Sequence, residues 1–246
     1  MVSKSQIKLI TSLEQKKNRT KSGLFIVEGL KGIREILNSQ FELDSLFTTG
    51  ENFETPSSKT HLINEGELKK ISRLKTPQSA LALFKIPKEN IPVIKNLVLA
   101  LDGIRDPGNL GTIIRLSDWF GIETLLCSKD SVDCYNPKVV QASMGSIARV
   151  TIYYVDLPRI LKNNIEQPII GTFLKGENIY STQLPKNGIL ILGNEANGIS
   201  EEVEKMVSKK LNIPQFGKAQ ITESLNVATA TAIILSEFQR KTLIER

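Results

Sequence analysis

The sequence predicts an α/β protein: a small α/β region followed by an open parallel sheet with helices on both faces. Apolar strand-like runs recur through the second part, at LVLALD (97–102), TLLCS (124–128), RVTIYYV (149–155), PIIGTF (168–173), GILILG (188–193) and LNIP (211–214). Runs that are apolar at nearly every position suit strands buried on both faces, the usual condition of a parallel sheet. Helical stretches at about 111–120, 136–147, 156–164, 200–208 and 224–241 alternate with them, and that alternation predicts a sheet covered by its own crossover helices. Charge also divides the chain. Residues 1–94 hold 15 Lys+Arg against 10 Asp+Glu, whereas 95–246 hold 17 against 16.

In chain order, residues 3–16 read as a helix with Ile7, Ile10 and Leu13 inward. Lys16, Lys17, Arg19 and Lys21 follow as a basic loop closed by Gly23. Residues 24–27 read as a short strand and 29–37 as a helix with Ile33, Ile36 and Leu37 on one face. DSLFTT (44–49) and KTHLIN (59–64) read as strands, EGELKKISRL (65–74) as a helix, and SALALFKIP (79–87) as a last strand. This βαβαβ pattern predicts a small α/β domain. Two prolines and a cluster of charges near 86–95 mark a linker, which gives domains at 1–90 and 95–246.

Composition narrows the function. With 246 residues, 40% of them hydrophobic and 24% charged, the chain can build a core and is not a disordered polymer. His61 is the only histidine, and Cys127 and Cys134 do not form a CxxC pair. No His/Cys metal site is expected, and a histidine-based triad would rest on His61 alone. No run of about 18 apolar residues occurs, so no membrane span is predicted. The N-terminus lacks the apolar core of a secretion signal, which predicts a cytoplasmic protein with reduced thiols. The net charge of +6 and its concentration in the first region suit either a polyanion-binding module or a solvated surface.

Three strand-to-loop junctions carry the chemistry, because ligands of open α/β sheets sit at the carboxyl ends of strands. In LDGIRDPGNLGTIIR, glycines allow a close approach, Asn109 offers both an amide donor and a carbonyl acceptor, and Arg115 lies one turn into the expected helix. Asn109 stands where a P-loop needs Lys, and no GxGxxG occurs, so NTPase and dinucleotide-oxidoreductase readings are disfavoured. In ILGNEANGIS, Asn194 and Glu195 emerge between Gly193 and Gly198, and Ser200 is placed to cap the next helix. In LNIPQFGKAQITESLNVATATA, Ser224 and Asn226 sit at a helix start, as caps or as ligand contacts, ahead of an Ala/Thr-rich face suited to close helix packing.

Taken together, these loops resemble the SpoU (TrmH-type) RNA 2′-O-ribose methyltransferases of the SPOUT superfamily. The matching residues are Asp102, Asp106, Pro107, Asn109, Gly111 and Arg115; Gly193, Glu195 and Gly198; and Ile213, Pro214, Ser224, Leu225, Asn226 and Val227. The segment NPKVVQASMGS (136–146) resembles the family's connecting helix. Arg19, Phe25, Val27, Glu28 and Gly29 resemble its N-terminal substrate domain. The resemblance implies a deep trefoil knot in the second domain and a ribosomal protein L30e-like fold in the first. It implies S-adenosyl-L-methionine as cofactor, touched by Gly193, Asn194, Gly198, Ile213, Leu225 and Asn226. It implies a homodimer through the C-terminal domain and an RNA substrate, ribosomal in preference to transfer RNA. Arg115 would bind the target phosphate and 2′-hydroxyl, and Asn109, Glu195, Ser224 and Asn226 would orient it and the ribose. Whether Arg115 also acts as base, and whether it reaches across the dimer, stays open. Lys16, Lys17, Arg19 and Lys21 are the expected RNA contacts of the first domain. The alternative is a non-catalytic RNA-binding or ribosome-assembly protein of the same fold. Two features depart from the commonest pattern: Ala196 after the glutamate, and a long stretch from Gln215 to Glu223.

Overall fold

The structure is a computed structural model that describes residues 1–50, 52–87, 94, 96–217 and 224–244, with side chains described to 240. The expected linker at 86–95 and part of the stretch before Ser224 therefore lie largely outside the described residues. The chain divides into two compact units. One comprises Met1–Glu89 with Asp133–Arg149, the other Asn90–Val132 with Val150–Arg246. The segment 133–149, read from sequence as part of the second domain, thus groups with the first.

The first unit begins with α1 (Lys4–Ser12) and α2 (Lys16–Ser22), followed by β1 (Leu24–Glu28), α3 (Leu30–Leu37), β2 (Leu43–Thr48), β3 (Thr60–Leu62), α4 (Glu65–Ile71) and β4 (Ala80–Lys85). Its sheet runs in the order β1-β4-β2-β3. β4 is antiparallel to both β1 and β2, and β2 and β3 are parallel. Leu24 and Ile26 join Ile10, Leu13, Leu68 and Ile71 in one core on one side of the sheet. Phe25 stacks with Phe41, Phe84 and Tyr135, at ring separations of 5.3, 5.9 and 4.7 Å. β1 is therefore buried on both faces, and residues 133–149 supply part of that cover.

Two expectations here are corrected. The helix expected over 3–16 stops at Ser12, and the basic residues expected in a loop form α2. The cause is Arg19. Its Nη1 donates to the carbonyls of Leu13 and Glu14 at 2.7 and 2.8 Å, which holds the turn between the two helices.

The second unit contains β5 (Leu97–Asp102), α5 (Pro107–Trp119) and β6 (Thr124–Ser128). The chain then contributes α6 (Pro137–Ser143) to the first unit before returning as β7 (Thr151–Val155), α7 (Leu157–Asn163) and β8 (Ile169–Asn178). It finishes with β9 (Gly188–Gly193), α8 (Glu201–Glu204), β10 (Lys209–Asn212) and α9 (Val227–Ile244). Among the described residues the sheet has the order β10-β8-β9-β5-β6-β7, and every pairing is parallel. Val98, Ala100, Leu126, Val155, Ile169, Ile189 and Ile191 form its main core with Ile199 and Val203. α9 packs on α5 and on β9. The last strand lies two residues earlier than expected, and β8 runs five residues further.

Candidate active site

The site lies within the second unit, at the carboxyl ends of β5, β9 and β10. Its first loop leaves β5 at Asp102. Asp106 caps α5, its Oδ1 accepting from Asn109 N at 2.7 Å, and Pro107 takes the first helical position, where its missing N–H costs nothing. Asn109 thus sits in the first turn of α5. Arg115 lies two turns into the helix rather than one, because the helix starts four residues earlier than expected.

The second loop is a tight turn. Asn194 and Gly198 exchange two backbone hydrogen bonds of 2.9 Å. Asn194 Oδ1 accepts from Ala196 and Asn197 N, and its Nδ2 donates to Gly103 O at 2.7 Å. Gly193 and Gly198 are required here. A Cβ on Gly193 would lie 2.2 Å from the Gly198 carbonyl carbon, and Gly198 adopts a φ of 69°. Ser200 occupies the cap position of α8 without a side-chain cap bond, so the expected hydroxyl cap is replaced. Its backbone N–H donates instead to the buried Asp102 Oδ2 at 2.8 Å, which pins the end of the second loop to the first.

The third loop ends at Asn226. Its Oδ1 accepts from Ala228 and Thr229 N at 3.0 and 3.2 Å, so it caps α9. Its Nδ2 donates to Asn109 Oδ1 at 2.9 Å. Asn109 Nδ2 in turn donates to Glu195 Oε1 at 2.6 Å. One asparagine amide therefore ties the three loops together, and Glu195 remains exposed.

The structure brings together Asn109, Glu195 and Asn226, with Gly193, Asn194 and Gly198 forming the turn beneath. Ser224 and Leu225 are exposed beside Asn226, and Ile213 is half-buried after β10. Arg115 is not in this group. It lies six residues beyond Asn109, about 240° around the helix axis. It is exposed, with no hydrogen-bond partner among the described residues. It shares its face with Thr112 and with Trp119, which is 84% exposed. In the first unit, Lys16, Lys17 and Lys21 are exposed on α2. Arg19 is corrected: at 2% exposure it is buried, and its Nε and Nη2 grip Asp133 Oδ2 at 2.9 and 2.5 Å. Asp102, Asp106 and Asn194, named only in passing or as cofactor contacts, prove to be the side chains that shape the loops. The available signal was the strand-end position of Asp102 and Asn194, and the place of Asp106 directly before Pro107 at a helix start.

The residues fit an adenosine-bearing cofactor. Leu225, 46% exposed, and the half-buried Ile213 offer apolar surface to a planar base. Residues 213–217 lie in neither helix nor strand, so their backbone amides and carbonyls are not committed to either ladder. Among the described residues no cluster of metal-ligating side chains occurs.

A family model described as the SpoU rRNA Methylase family matches residues 96–236. The chain belongs to that family. A second model, the MRM3-like substrate binding domain, matches residues 4–82. The chain is 29% identical to the 23S rRNA (guanosine(2553)-2′-O)-methyltransferase RlmP of Bacillus subtilis (strain 168), across 91% of each chain. Among solved structures it matches a TrmH-family protein from Porphyromonas gingivalis with a TM-score of 0.91 and 40% identity, over 98% of this chain and 99% of that one. An AdoMet-bound rRNA methyltransferase from Sinorhizobium meliloti matches with a TM-score of 0.86 and 28% identity, over 98% and 97%.

Proposed function

We propose that this SpoU-family chain transfers the methyl group of S-adenosylmethionine to a ribose 2′-hydroxyl of ribosomal RNA. The observation that carries this is the Glu195–Asn109–Asn226 chain of hydrogen bonds, which holds the three family loops as one polar rim beside the apolar Ile213 and Leu225. When bound, S-adenosylmethionine supplies an activated methyl on its sulfonium. Ile213, Leu225 and the backbone of the Gly193–Gly198 turn would hold it. Asn109 and Glu195 orient the ribose by hydrogen bonds to its hydroxyls, and such positioning lowers the barrier by converting a two-body encounter into an internal step. Arg115 neutralises the adjacent phosphate and stabilises the developing alkoxide. Its guanidinium stays protonated at neutral pH, which suits a clamp rather than a base.

Several finer features belong to the same reading. The trefoil knot is part of this reading on the strength of membership in the SpoU family, whose model matches residues 96–236. The first unit is read as the L30e-like RNA-binding domain, with Lys16, Lys17 and Lys21 on phosphates. The homodimer is supported by Arg115, which points away from its own Asn109 and lies one turn from the exposed Trp119, as a residue serving a partner's site would. A cytoplasmic location belongs to the same proposal.

The test is methyl transfer from labelled S-adenosylmethionine to unmodified ribosomal and transfer RNA, with products mapped as alkali-resistant ribose methylation. One methylated ribosomal site, strongly reduced in Arg115→Ala, is expected. No transfer to RNA or to precursor particles, together with no cofactor binding, would replace this reading with a non-catalytic RNA-binding protein.

A further inference from the structure

Two aromatic side chains at the same end of the second unit's sheet are exposed and belong to none of the machinery above. Phe216 is 84% exposed and Tyr180 is 43% exposed, with ring centroids 6.4 Å apart and planes tilted by 37°. Phe216 lies three residues beyond Ile213, on the connection that leads to Ser224 and Asn226. Tyr180 follows β8, which the sheet order places between β9 and β10. Both rings therefore stand at the carboxyl edge that carries the site loops.

The backbone around Tyr180 is held. Tyr180 N donates to Asn178 Oδ1 at 2.9 Å, and Ser181 and Thr182 N both donate to the Asn178 carbonyl. Thr182 Oγ1 donates to the same carbonyl at 2.7 Å. The register between β8 and β10 shifts after Lys210, so Leu211 and Asn212 pair with Glu177 and Asn178. Asn212 Nδ2 closes the shift by donating to Leu174 O at 2.6 Å, and Ile179 N donates to Asn212 O at 3.0 Å. The ends of β8 and β10 are thus locked together; Tyr180 follows the first closely, and Phe216 lies four residues beyond the second.

We infer that Tyr180 and Phe216 form an aromatic step that stacks an unpaired base of the RNA substrate, next to the ribose being methylated. The inference rests on the proposed function. The choice of an RNA base follows from continuity with the site loops and from the paired exposed rings, Tyr180 among them held against the end of β8; exposed aromatic faces are the device by which proteins hold unpaired bases without reading their edges.

The test uses the full chain as wild type, Phe216→Ala, Phe216→Leu, Phe216→Trp and Tyr180→Ala. A short fluorescein-labelled single-stranded RNA is titrated by anisotropy. The KM for large-subunit ribosomal RNA, cofactor binding and oligomeric state are measured in parallel. Phe216→Ala and Phe216→Leu are expected to weaken RNA binding and raise the RNA KM about tenfold. Phe216→Trp should retain binding, Tyr180→Ala should lose less, and cofactor affinity and oligomeric state should not move. Leucine matching phenylalanine would overturn stacking. RNA binding unchanged in Phe216→Ala would overturn the step outright, as would a loss confined to cofactor binding or to self-association. Wild-type chain that binds RNA in a Phe216-dependent way but transfers no methyl would sink the enzyme reading while the aromatic step stands.

Discussion

The two units handle their key arginines in opposite ways. In the first, Arg19 is buried and makes four hydrogen bonds, to Leu13, Glu14 and Asp133. In the second, Arg115 stands exposed on α5 with no partner among the described residues. Both occupy family-motif positions, and by residue type alone both read as anion contacts. The difference teaches that a motif arginine stays available to a ligand where the fold leaves it without a partner, and is structural where the fold has taken most of its donors. Glu28, another motif residue of the first unit, repeats the point: it accepts from Ser72 Oγ and from Arg73 N.

The sharpest way to break this comparison is Asp133→Ala. It strands a buried guanidinium charge, and breaking such a pair costs about 3–5 kcal/mol. The loss should fall on the first unit: hydrogen exchange in β1 and β4 should accelerate well before that in β5 and β9. Arg19→Met combined with Asp133→Leu should recover most of the loss. Equal destabilisation of both units, or none, would remove Arg19 from its structural role.

Arg115→Ala is the mirror experiment. Removing an exposed, unpaired side chain should leave unfolding unchanged, whereas losing one charge-stabilising contact to the reaction lowers turnover about 10²–10³-fold. Cofactor binding should persist. A variant as active as wild type would dissolve the contrast between the two arginines.

What the sequence made readable, and what it hid, follows the same division. β5, β6 and β9 were recognisable because they are apolar along most of their length, whereas β10 (KKLN) and the polar end of β8 are not and their bounds were misplaced; the site loops stood out because Gly, Asn and Asp cluster near strand ends. Asn109, Glu195 and Asn226 do meet, as their places on consecutive junctions implied. The first unit was read less well. The break between α1 and α2 depends on Arg19 reaching back to two carbonyls, and the placement of 133–149 depends on Phe25 meeting Tyr135. Both are contacts between residues far apart in sequence, or between a side chain and backbone, and hydropathy patterns carry neither. The direction of Arg115 relative to Asn109 was hidden for a simpler reason: it hinges on where α5 begins, and Asp106 starts it earlier than the apolar pattern suggests.

Gly193→Ala sharpens the comparison from the backbone side. The added methyl meets main-chain atoms of Gly198 and Ile199 rather than a flexible side chain, so the turn itself must move. Overpacking of this kind costs about 1–3 kcal/mol. Cofactor affinity should fall by a larger factor than stability predicts, while the first unit keeps its exchange protection. Cofactor binding at wild-type strength would mean that the turn is not part of the cofactor site.

The smallest effect separates the units by pH. Cys127 lies in β6 of the second unit, and burial pushes its thiol from 9.0 up to about 12. The folded state therefore keeps this proton where the unfolded chain releases it. Between pH 9 and 12 the unfolded state binds fewer protons, so stability falls as pH rises, and below pH 9 this contribution is constant. One unit above the unfolded value, at pH 10, the loss is about 1.4 kcal/mol. Denaturant unfolding of wild type and Cys127→Ala at pH 8 and 10 isolates it, because every other titrating group is common to both. The gap between the two proteins should shift by about that amount in favour of the variant at the higher pH, with the change in exchange protection confined to the second unit. An unchanged gap would mean that the thiol ionises in place, and that the centre of the parallel sheet admits a charge as readily as the ion-paired core of the first unit does.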